Sequence, residues 1–582
     1  MKTSYKFSSK TIAKLAVASV LSFAACKKDS ALDVKNLSSV EVGVAFSTKN
    51  AADLVLNDIY NSLPDQYNSV FDPFDNWSDN AMTGFNWNIS STTARTKSNI
   101  NSNSNFSYDW GDPTQKATSW MKWDYLYTYI RKCNVFIANL EASKLDDAYK
   151  NQRLGEAKVC RAFFYHIVWM LYGGGPIITT PDNKDQDGDS IYHARASFDA
   201  NYAFLEKELT DAAALLPDAT SASAKSTGGG RATKGAALTL RGWIELFYAS
   251  PLYNKTGDVS RWAAAAATNK QVMQMNYSLY PTYDELFLTT GALSGNNQEG
   301  IFYRQYLGLK AGSNIAGYQG PGNVGTNWLS WGGSTPTQEL VDDYVMANGK
   351  GIGETGSGYD DTDPYTGREP RFYKSILFNG NTINGQVYLS AVGSGNNAID
   401  LQDATDNTNT GYAMKKLIDT TVNIFQGGAS SQTYYYFRYA EVLLNYAEAQ
   451  NEAVGPDASV YEALDKVRTR AGIPTFSDVY PGVSQAQMRD LIHRERRVEL
   501  AFEGRRYYDL LRWKIAEVNL NHVMHGMKIT PKTGGGYTYE RIPAVLPGSP
   551  QWTFDATKNY LLPIPLSVLG QNPKLGQNPN YQ

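Results

Sequence analysis

Apolar residues recur every three or four positions over long stretches of this chain. Between residues 123 and 140 this spacing places Leu126, Ile130 and Phe136 on one face, as in an amphipathic helix. Stretches with the same period run over 152–171, 198–216, 232–248, 262–275, 438–452, 460–470 and 488–503, with a further one at 508–516. Successive helices of this length predict helical hairpins related to tetratricopeptide units, with an irregular period. The chain is therefore predicted to be mostly α.

Two regions, 64–119 and 277–432, have a different character. Gly, Asn, Thr and Ser dominate them, and aromatic residues are scattered between. This composition predicts loops and short strands, and long segments of that kind usually carry function. We therefore expect a single domain over 49–582, with a helical scaffold at about 49–63, 120–276 and 433–520. The Pro- and Gly-rich segment 521–582 is expected to wrap the surface.

The first 25 residues have the pattern of a secretory signal peptide. Four lysines and no acid precede an apolar run at 15–23 that is too short to span a bilayer. Small residues then lead to Cys26, as in a bacterial lipobox, which predicts cleavage and lipid attachment at Cys26. The alternative is an ordinary signal peptide that is cut near a chance cysteine. In the lipoprotein interpretation, residues 26–48 form a tether, and the net charge falls from −3 to −7 because the four lysines are removed.

The overall composition excludes several classes of protein. Lys and Arg number 54 and Asp and Glu 57, whereas a non-specific nucleic-acid binder needs a basic surface. Three cysteines cannot build a disulfide-rich scaffold or a cysteine-based zinc array. Apart from Cys26, only Cys133 and Cys160 remain. They lie on two predicted helices, where either a disulfide or two buried thiols is possible, and buried thiols are favoured.

Five motifs follow one another in a specific order along the chain. They stand at 161–165 with 171–173 and Pro176, at 438–451, at 464–474, at 494–514, and at 560–565 with 577–581. Together with the lipobox, this order resembles the SusD/RagB family. The resemblance implies four tetratricopeptide-like hairpins and a lipid anchor in the outer membrane of Bacteroidetes, facing the exterior. It also implies that the protein forms a lid over a SusC-like TonB-dependent transporter and helps to capture nutrients, usually glycans. The resemblance implies neither catalysis nor a cofactor.

The segment 494–514 combines acids and arginines at helical spacing. Glu495, Glu499 and Glu503 recur every four residues, and Arg494, Arg496, Arg497, Arg505 and Arg506 stand among them. Carboxylates and guanidinium groups three or four residues apart pair along a helix. We therefore predict a structural ion-pair network here rather than a pair of catalytic acids. Tyr508 and Trp513 are predicted to pack against a neighbouring helix.

The candidate ligand-binding residues lie in the two loop regions, because sugars are held by aromatic faces together with amides and charged groups. The first region supplies Trp77, Asn80, Phe85, Trp87, Arg95 and Trp110, and the second supplies Tyr306, Tyr318, Trp328 and Trp331. The choice is compositional, and the alternative for each aromatic residue is that it fills a core beneath its own loop.

The expected function is capture of a neutral or weakly charged glycan, with peptides or protein fragments as alternative cargo. A glycoside hydrolase is a further alternative, with Asp342, Asp343, Asp360 and Asp361 as its candidate acids. Asn183, Asp185, Asp187 and Asp189 follow the first half of a calcium loop. Ala194 stands where that loop needs its glutamate, and such residues also form plain surface turns.

Overall fold

The computed structural model describes residues 45–68, 74–84, 98, 100–102, 121–221, 229–288, 297–308, 312–324, 327–328, 330–394, 397, 399, 408–422, 429–545 and 552–581. The predicted signal peptide and Cys26 lie outside these residues. Within them the protein is mostly helical with a few short strands, as predicted. No helix of the described part combines the length and the apolar character needed to cross a membrane.

The helices are numbered in chain order. They are α1 (Lys49–Asn61), α2 (Trp123–Ala142), α3 (Asp147–Tyr172), α4 (Lys184–Asp187), α5 (Phe198–Leu215), α6 (Lys234–Ala249), α7 (Val259–Met273), α8 (Tyr283–Leu288), α9 (Ile315–Gln319), α10 (Gln338–Asp343), α11 (Pro370–Ser375), α12 (Tyr439–Val454), α13 (Ala458–Ala471), α14 (Phe476–Val479), α15 (Gln485–Glu499), α16 (Arg506–Arg512), α17 (Ala516–Asn519) and α18 (Leu566–Gln571). Short 3₁₀ helices cover Gln66–Asn68, Phe74–Trp77 and Gly188–Ile191.

The strands form two-stranded antiparallel pairs only, within the described residues. They are β1 (Ala81–Met82) with β5 (Thr335–Pro336), β2 (Gly300–Arg304) with β10 (Tyr434–Arg438), β3 (Asn323–Val324) with β4 (Asn327–Trp328), β6 (Ile376–Leu377) with β9 (Ala413–Met414), β7 (Thr382–Ile383) with β8 (Gln386–Val387), and β11 (His525–Pro531) with β12 (Tyr537–Pro543). Eight of these twelve strands lie in the second loop region, so the described part of that region consists of short elements as predicted.

The long helices form one continuous array. Each packs on the next in the order α2, α3, α5, α6, α7, α12, and α13 and α15 then both pack on α12. Helices α7 and α12 are neighbours although the whole second loop region separates them in the sequence. The loop region therefore leaves and re-enters a single scaffold, and this arrangement is compatible with tetratricopeptide-like hairpins. Cys133 of α2 and Cys160 of α3 are free and buried, so the favoured interpretation as two thiols is confirmed.

Local chemistry sets the ends of these helices. Asp146 caps α3 by accepting the N–H of Tyr149 at 3.0 Å. The same helix ends at Gly173, whose φ of +75° is a backbone conformation that favours glycine. Helix α15 starts with a capping box between Ser484 and Gln487. The predicted helices are therefore found within a few residues of their expected bounds.

The ion-pair network of segment 494–514 exists, but its partners differ from the predicted ones. Glu499 is bound by Arg371 at 3.0 Å, by Arg438 at 2.7 Å and by Arg470. These arginines belong to α11, to the end of β10 and to α13, and none lies on the helix of Glu499. The predicted pairing along one helix is therefore wrong, because the carboxylates face the interior, where they join separate elements.

The helix is also shorter than predicted, since α15 ends at Glu499 instead of continuing to Glu503. A turn with positive φ at Phe502 and Gly504 then leads into α16. The predicted packing of Tyr508 and Trp513 is confirmed. Tyr508 contacts Trp243 of α6 edge-on, and Trp513 stacks on His493 with ring centroids 3.5 Å apart.

The end of the chain is fastened to the end of α3. The side-chain amide of Asn578 donates to the carbonyl oxygens of Tyr172 and Leu562, at 2.9 and 2.7 Å. Gln577 accepts the N–H of Ile564 and donates to its carbonyl oxygen, both at 2.8 Å. The motif at 577–581 therefore holds the C-terminal segment, which we call the strap, against the helical array.

Candidate functional site

The two loop regions meet at one place. Strands β1 and β5 pair Ala81 with Pro336 and Met82 with Thr335. The side-chain amide of Asn76 donates to the carbonyl oxygen of Gly333 at 2.9 Å, a contact between residues 257 positions apart. We call residues 74–84, 313–320 and 330–337 the loop junction. Loops from both regions can therefore contribute to a single surface.

Asp79 anchors the loop junction to the scaffold. Arg506 of α16 binds both of its carboxylate oxygens, at 2.7 and 2.8 Å, and Arg497 of α15 lies 3.2 Å from one of them. Burial alone would raise the pKa of Asp79, but the two guanidinium groups hold it well below its ordinary value. Because Asp79 is buried and fully paired, its role is to position the loop.

Asp75 is a second acid of the loop junction, and its pKa is raised, in contrast to that of Asp79. It is 1% exposed, and burial raises the pKa of Asp75 to about 7. Lys416 and the backbone of Phe502 act in the other direction, but the amine of Lys416 is itself bound by Glu503 at 2.7 Å. Asp75 is therefore a buried acid beneath the junction that changes its charge near neutral pH.

Three of the predicted ligand residues lie in the core instead. Trp77 is fully buried and meets Tyr507 edge-on with centroids 6.0 Å apart. Asn80 is 1% exposed, and its side-chain oxygen accepts an N–H of Arg497 at 2.8 Å. Tyr306 is buried, and its hydroxyl donates to Asp65. These positions correct the sequence-based choice, because none of the three side chains has a free face for a sugar.

Tyr318 and Trp331 are half-buried at the junction. Their segments run side by side, since Gly333 donates its N–H to the carbonyl oxygen of Tyr318 at 2.8 Å and Trp331 donates to that of Gly317 at 3.0 Å. The structure thus brings the backbones of these two candidates together, and each residue is partly accessible. Phe85, Trp87, Arg95 and Trp110 lie outside the described residues. Trp328 is described through its backbone alone, as part of β4.

The candidate hydrolase acids do not form a pair that flanks a cleft. Asp342 is held by Arg541, with one contact at 2.9 Å, and Asp343 by Arg497 at 2.7 Å. Asp360 is exposed and accepts the backbone N–H and hydroxyl of Thr362, both at 2.8 Å. Glycoside hydrolysis needs two carboxyl groups facing each other across the scissile bond. Asp342, Asp343 and Asp360 are instead engaged in structural contacts, and Asp361 is exposed.

The calcium-loop candidates form a capped surface turn. Asn183 caps α4 by accepting the N–H of Asp185 at 3.0 Å, and Asp187 accepts the N–H of Asn183 at 2.6 Å. The side chains of this segment, Asp189 included, are exposed. Throughout the residues that the structure describes, no three His, Cys, Asp or Glu side chains are grouped so that they could hold a metal ion.

Sequence reasoning missed the residues that join the two regions, such as Ser334. Its hydroxyl donates to the side-chain oxygens of Asn76 at 3.1 Å and Gln319 at 3.0 Å. One signal was present in the sequence: segment 494–514 holds more arginines than acids, so Arg497 and Arg506 need carboxylates from elsewhere.

Comparisons with known proteins agree across the chain. Residues 298–581 match the family model described as "SusD family", and residues 32–246 match one described as "Starch-binding associating with outer membrane". A SusD-like protein P2 of Formosa agariphila is 25% identical over 483 residues, which cover 79% of this chain and 80% of that relative.

Solved structures share the fold. A SusD-like protein of Bacteroides fragilis is 26% identical, with a TM-score of 0.71 over 92% of this chain and 98% of its own. A SusD-like carbohydrate-binding protein, also of Bacteroides fragilis, is 24% identical, with a TM-score of 0.70 over 91% of this chain and 100% of its own.

Proposed function

Because the chain belongs to the SusD/RagB family, we propose that it is a lipid-anchored glycan-binding protein of the outer-membrane surface. It captures an oligosaccharide or polysaccharide by non-covalent contacts and delivers it to a SusC-like TonB-dependent transporter. Cys26 carries the lipid in this proposal, and the chain performs no chemistry on its cargo. The matched family description, which names starch binding and association with the outer membrane, supports both the class of ligand and the location.

One observation carries the choice of site. The two aromatic-rich loop regions meet at the loop junction, and Tyr318 and Trp331 are partly accessible there. Aromatic faces stack on the C–H side of sugar rings, while neighbouring amides and hydroxyls bind the ring hydroxyls. We place the glycan against these two residues, with Phe85, Trp87, Arg95, Trp110 and Trp328 as further candidates from the adjoining loops.

Affinity electrophoresis tests the proposal. The purified protein is run through gels that contain laminarin, starch, xylan or mannan, with peptide pools assayed in parallel by titration. We expect retardation by at least one glycan. Binding to peptides alone contradicts the glycan assignment, and release of reducing ends from any of the polysaccharides contradicts the absence of catalysis.

A further inference from the structure

A large groove lies on the helical scaffold, and none of its lining residues belongs to the loop junction. It has a volume of about 1090 Å³ and runs between the segment 277–281, which links α7 to α8, and the face of α13. We call it the scaffold groove. Its volume is at the upper end of the range found for small-molecule sites.

Three tyrosines give the groove its apolar walls: Tyr277, Tyr439 and Tyr461. The rings of Tyr277 and Tyr439 are stacked, with centroids 6.4 Å apart and an angle of 30° between the planes. The hydroxyl of Tyr461 donates to the carbonyl oxygen of Tyr480 at 3.0 Å, which fixes that ring in place. Pre-positioned aromatic walls of this kind suit the apolar faces of sugar rings.

The charged side chains in the lining are already balanced by this protein. Lys466 pairs with Glu462 at 2.8 Å. Asp465 accepts two backbone N–H groups at the start of α14. Arg470 turns inward to Glu299 at 3.1 Å. A charged occupant would have to compete with these contacts, so the groove fits a neutral ligand.

A smaller polar pocket lies next to the groove, since Tyr277 lines both. The pocket has a volume of about 330 Å³, and its walls include Asp218, Thr220, Gln274 and Asn276, with Lys234 as the opposite charge to Asp218. Amides, a hydroxyl and a carboxylate at one place match the hydroxyl groups of a sugar ring. Because Tyr277 lines both, groove and pocket are adjacent, and this adjacency suits a chain-like ligand.

We propose that the scaffold groove and this pocket form a second saccharide site, which takes a neutral oligosaccharide chain independently of the loop junction. The class of ligand rests on the proposed function, whereas the site rests on its own geometry. An extended peptide fits less well, because the lining residues belong to helices and loops and offer no strand edge for main-chain pairing.

The test uses Thr469→Arg, which fills the groove from an exposed position of α13. Gln271→Arg adds the same charge at an exposed position of α7 outside the lining and is the matched control. The double variant Gln274→Ala with Asn276→Ala removes two exposed pocket amides, so a folding defect of one variant does not decide the outcome. Each protein is titrated by calorimetry with neutral hexasaccharides of the malto-, laminari-, cello-, xylo- and manno- series, and with peptide pools.

The unaltered protein should show two binding events with at least one hexasaccharide. Thr469→Arg should lose one of them or weaken it by at least about 10-fold, as for loss of a central contact. The double variant should weaken the same event, and Gln271→Arg should leave both unchanged. In Trp331→Ala, the event that Thr469→Arg removes should persist.

Two binding events that survive both groove variants, or a single event that only Trp331→Ala removes, would overturn this inference and leave the proposed function standing. Retention of peptides that Thr469→Arg abolishes would also overturn it. Failure of the unaltered protein to bind any glycan would overturn the proposed function, and this inference with it.

Discussion

The carboxylate of Glu499 accepts a hydrogen bond from the guanidinium group of Arg438 across 2.7 Å, although 61 residues separate the two in the sequence. Both side chains are buried, and Arg371 and Arg470 reach the same carboxylate. One acid therefore contacts three cations from separate elements, and each of these arginines also pairs with a further glutamate. Glu499 is thus the shared centre of a charge network that joins α15 to the rest of the scaffold.

Replacement of Glu499 by glutamine should be strongly destabilising. It removes the charge that three guanidinium groups share, although each of them keeps another glutamate partner. Loss of one partner from a buried ion pair costs up to about 3–5 kcal/mol. Urea unfolding followed by circular dichroism measures the change in the free energy of unfolding. Glu462→Gln is the control, since it breaks only an exposed pair with Lys466 and should cost less than about 1 kcal/mol.

The pH dependence of the free energy of unfolding should come from the same ion pairs of Glu499. Arg470, Arg438 and Arg371 outweigh burial and hold the pKa of Glu499 well below its ordinary value. The stabilisation is therefore complete above the pKa of the unfolded chain and is lost as pH falls through the lowered pKa of the folded state. Equal effects of Glu499→Gln and Glu462→Gln at neutral pH would contradict the role given to this carboxylate.

Asp75→Asn should stabilise the protein at alkaline pH. Because burial raises the pKa of Asp75 from 3.8 to about 7, its contribution to stability decreases as pH rises from about 4 to about 7. Above that range the buried carboxylate is ionised at a cost of up to about 4 kcal/mol. Asparagine has no charge to bury, so the variant should be more stable at pH 8 and equal to the original at pH 4.

Urea unfolding at the two pH values checks this prediction, with Asp361→Asn on the exposed surface as a control that should change nothing. The groups that face Asp75 are Lys416 and Glu503. A variant that is less stable at pH 8 would mean that Lys416 holds an ionised Asp75 in place, and would contradict the prediction.

Trp331→Ala should weaken glycan binding. The half-buried ring at the loop junction offers a stacking face, and loss of an aromatic anchor costs about 1–3 kcal/mol, or roughly 5- to 150-fold in affinity. Titration with the glycan that retards the unaltered protein gives the value. Tyr192→Ala, at a half-buried position outside the junction, should bind as the original does. Equal affinities of the two folded variants would remove Trp331 from the site.

Asn578→Ala should destabilise the protein, because this side chain joins segments that are 406 positions apart. The carbonyl oxygen of Leu562 loses its side-chain donor, whereas that of Tyr172 keeps Arg195, and an unsatisfied buried polar group costs about 1–3 kcal/mol. Thermal unfolding measures the loss. Gln571→Ala, at an exposed position of α18, should have little effect. Similar stabilities would show that the strap does not contribute to folding stability.

Cys133 and Cys160 should resist thiol reagents in the folded protein. Burial raises the pKa of Cys133 to about 12 and that of Cys160 well above its ordinary value, whereas the thiolate is the reactive form. Labelling with iodoacetamide, followed by mass spectrometry of the two peptides, should show reaction only after denaturation. Fast labelling under native conditions would indicate that α2 and α3 separate readily.

The helical scaffold could be predicted because its information is local. The period of the apolar residues gives α2 and α3, and for α3 a capping aspartate and a glycine mark the two ends. The turn after Glu499 was missed because positive φ at Phe502, a residue that rarely adopts it, is imposed by the surrounding tertiary structure. Local propensity carries no signal for such a turn.

The site was harder to predict because a side chain's direction is a tertiary property. Trp77 and Trp331 have similar polar surroundings in the sequence, yet one is fully buried and the other half-exposed. The arginines of segment 494–514 indicated an ion-pair network. Spacing along one helix could not identify Asp79 as the partner of Arg506, because the two are 427 positions apart. The composition therefore identified the two loop regions that meet, but it did not identify which side chains face outward.

The strap also determines which hydrogen bonds a truncated chain loses. Asn578 donates to the carbonyl oxygen of Tyr172 at the end of α3, 406 positions earlier, and Gln577 accepts the N–H of Ile564. A product released early by the ribosome, or trimmed by a protease at its tail, lacks these side chains. In such a chain Arg195 still donates to Tyr172, whereas the carbonyl oxygen of Leu562 loses the side-chain donor that Asn578 supplies.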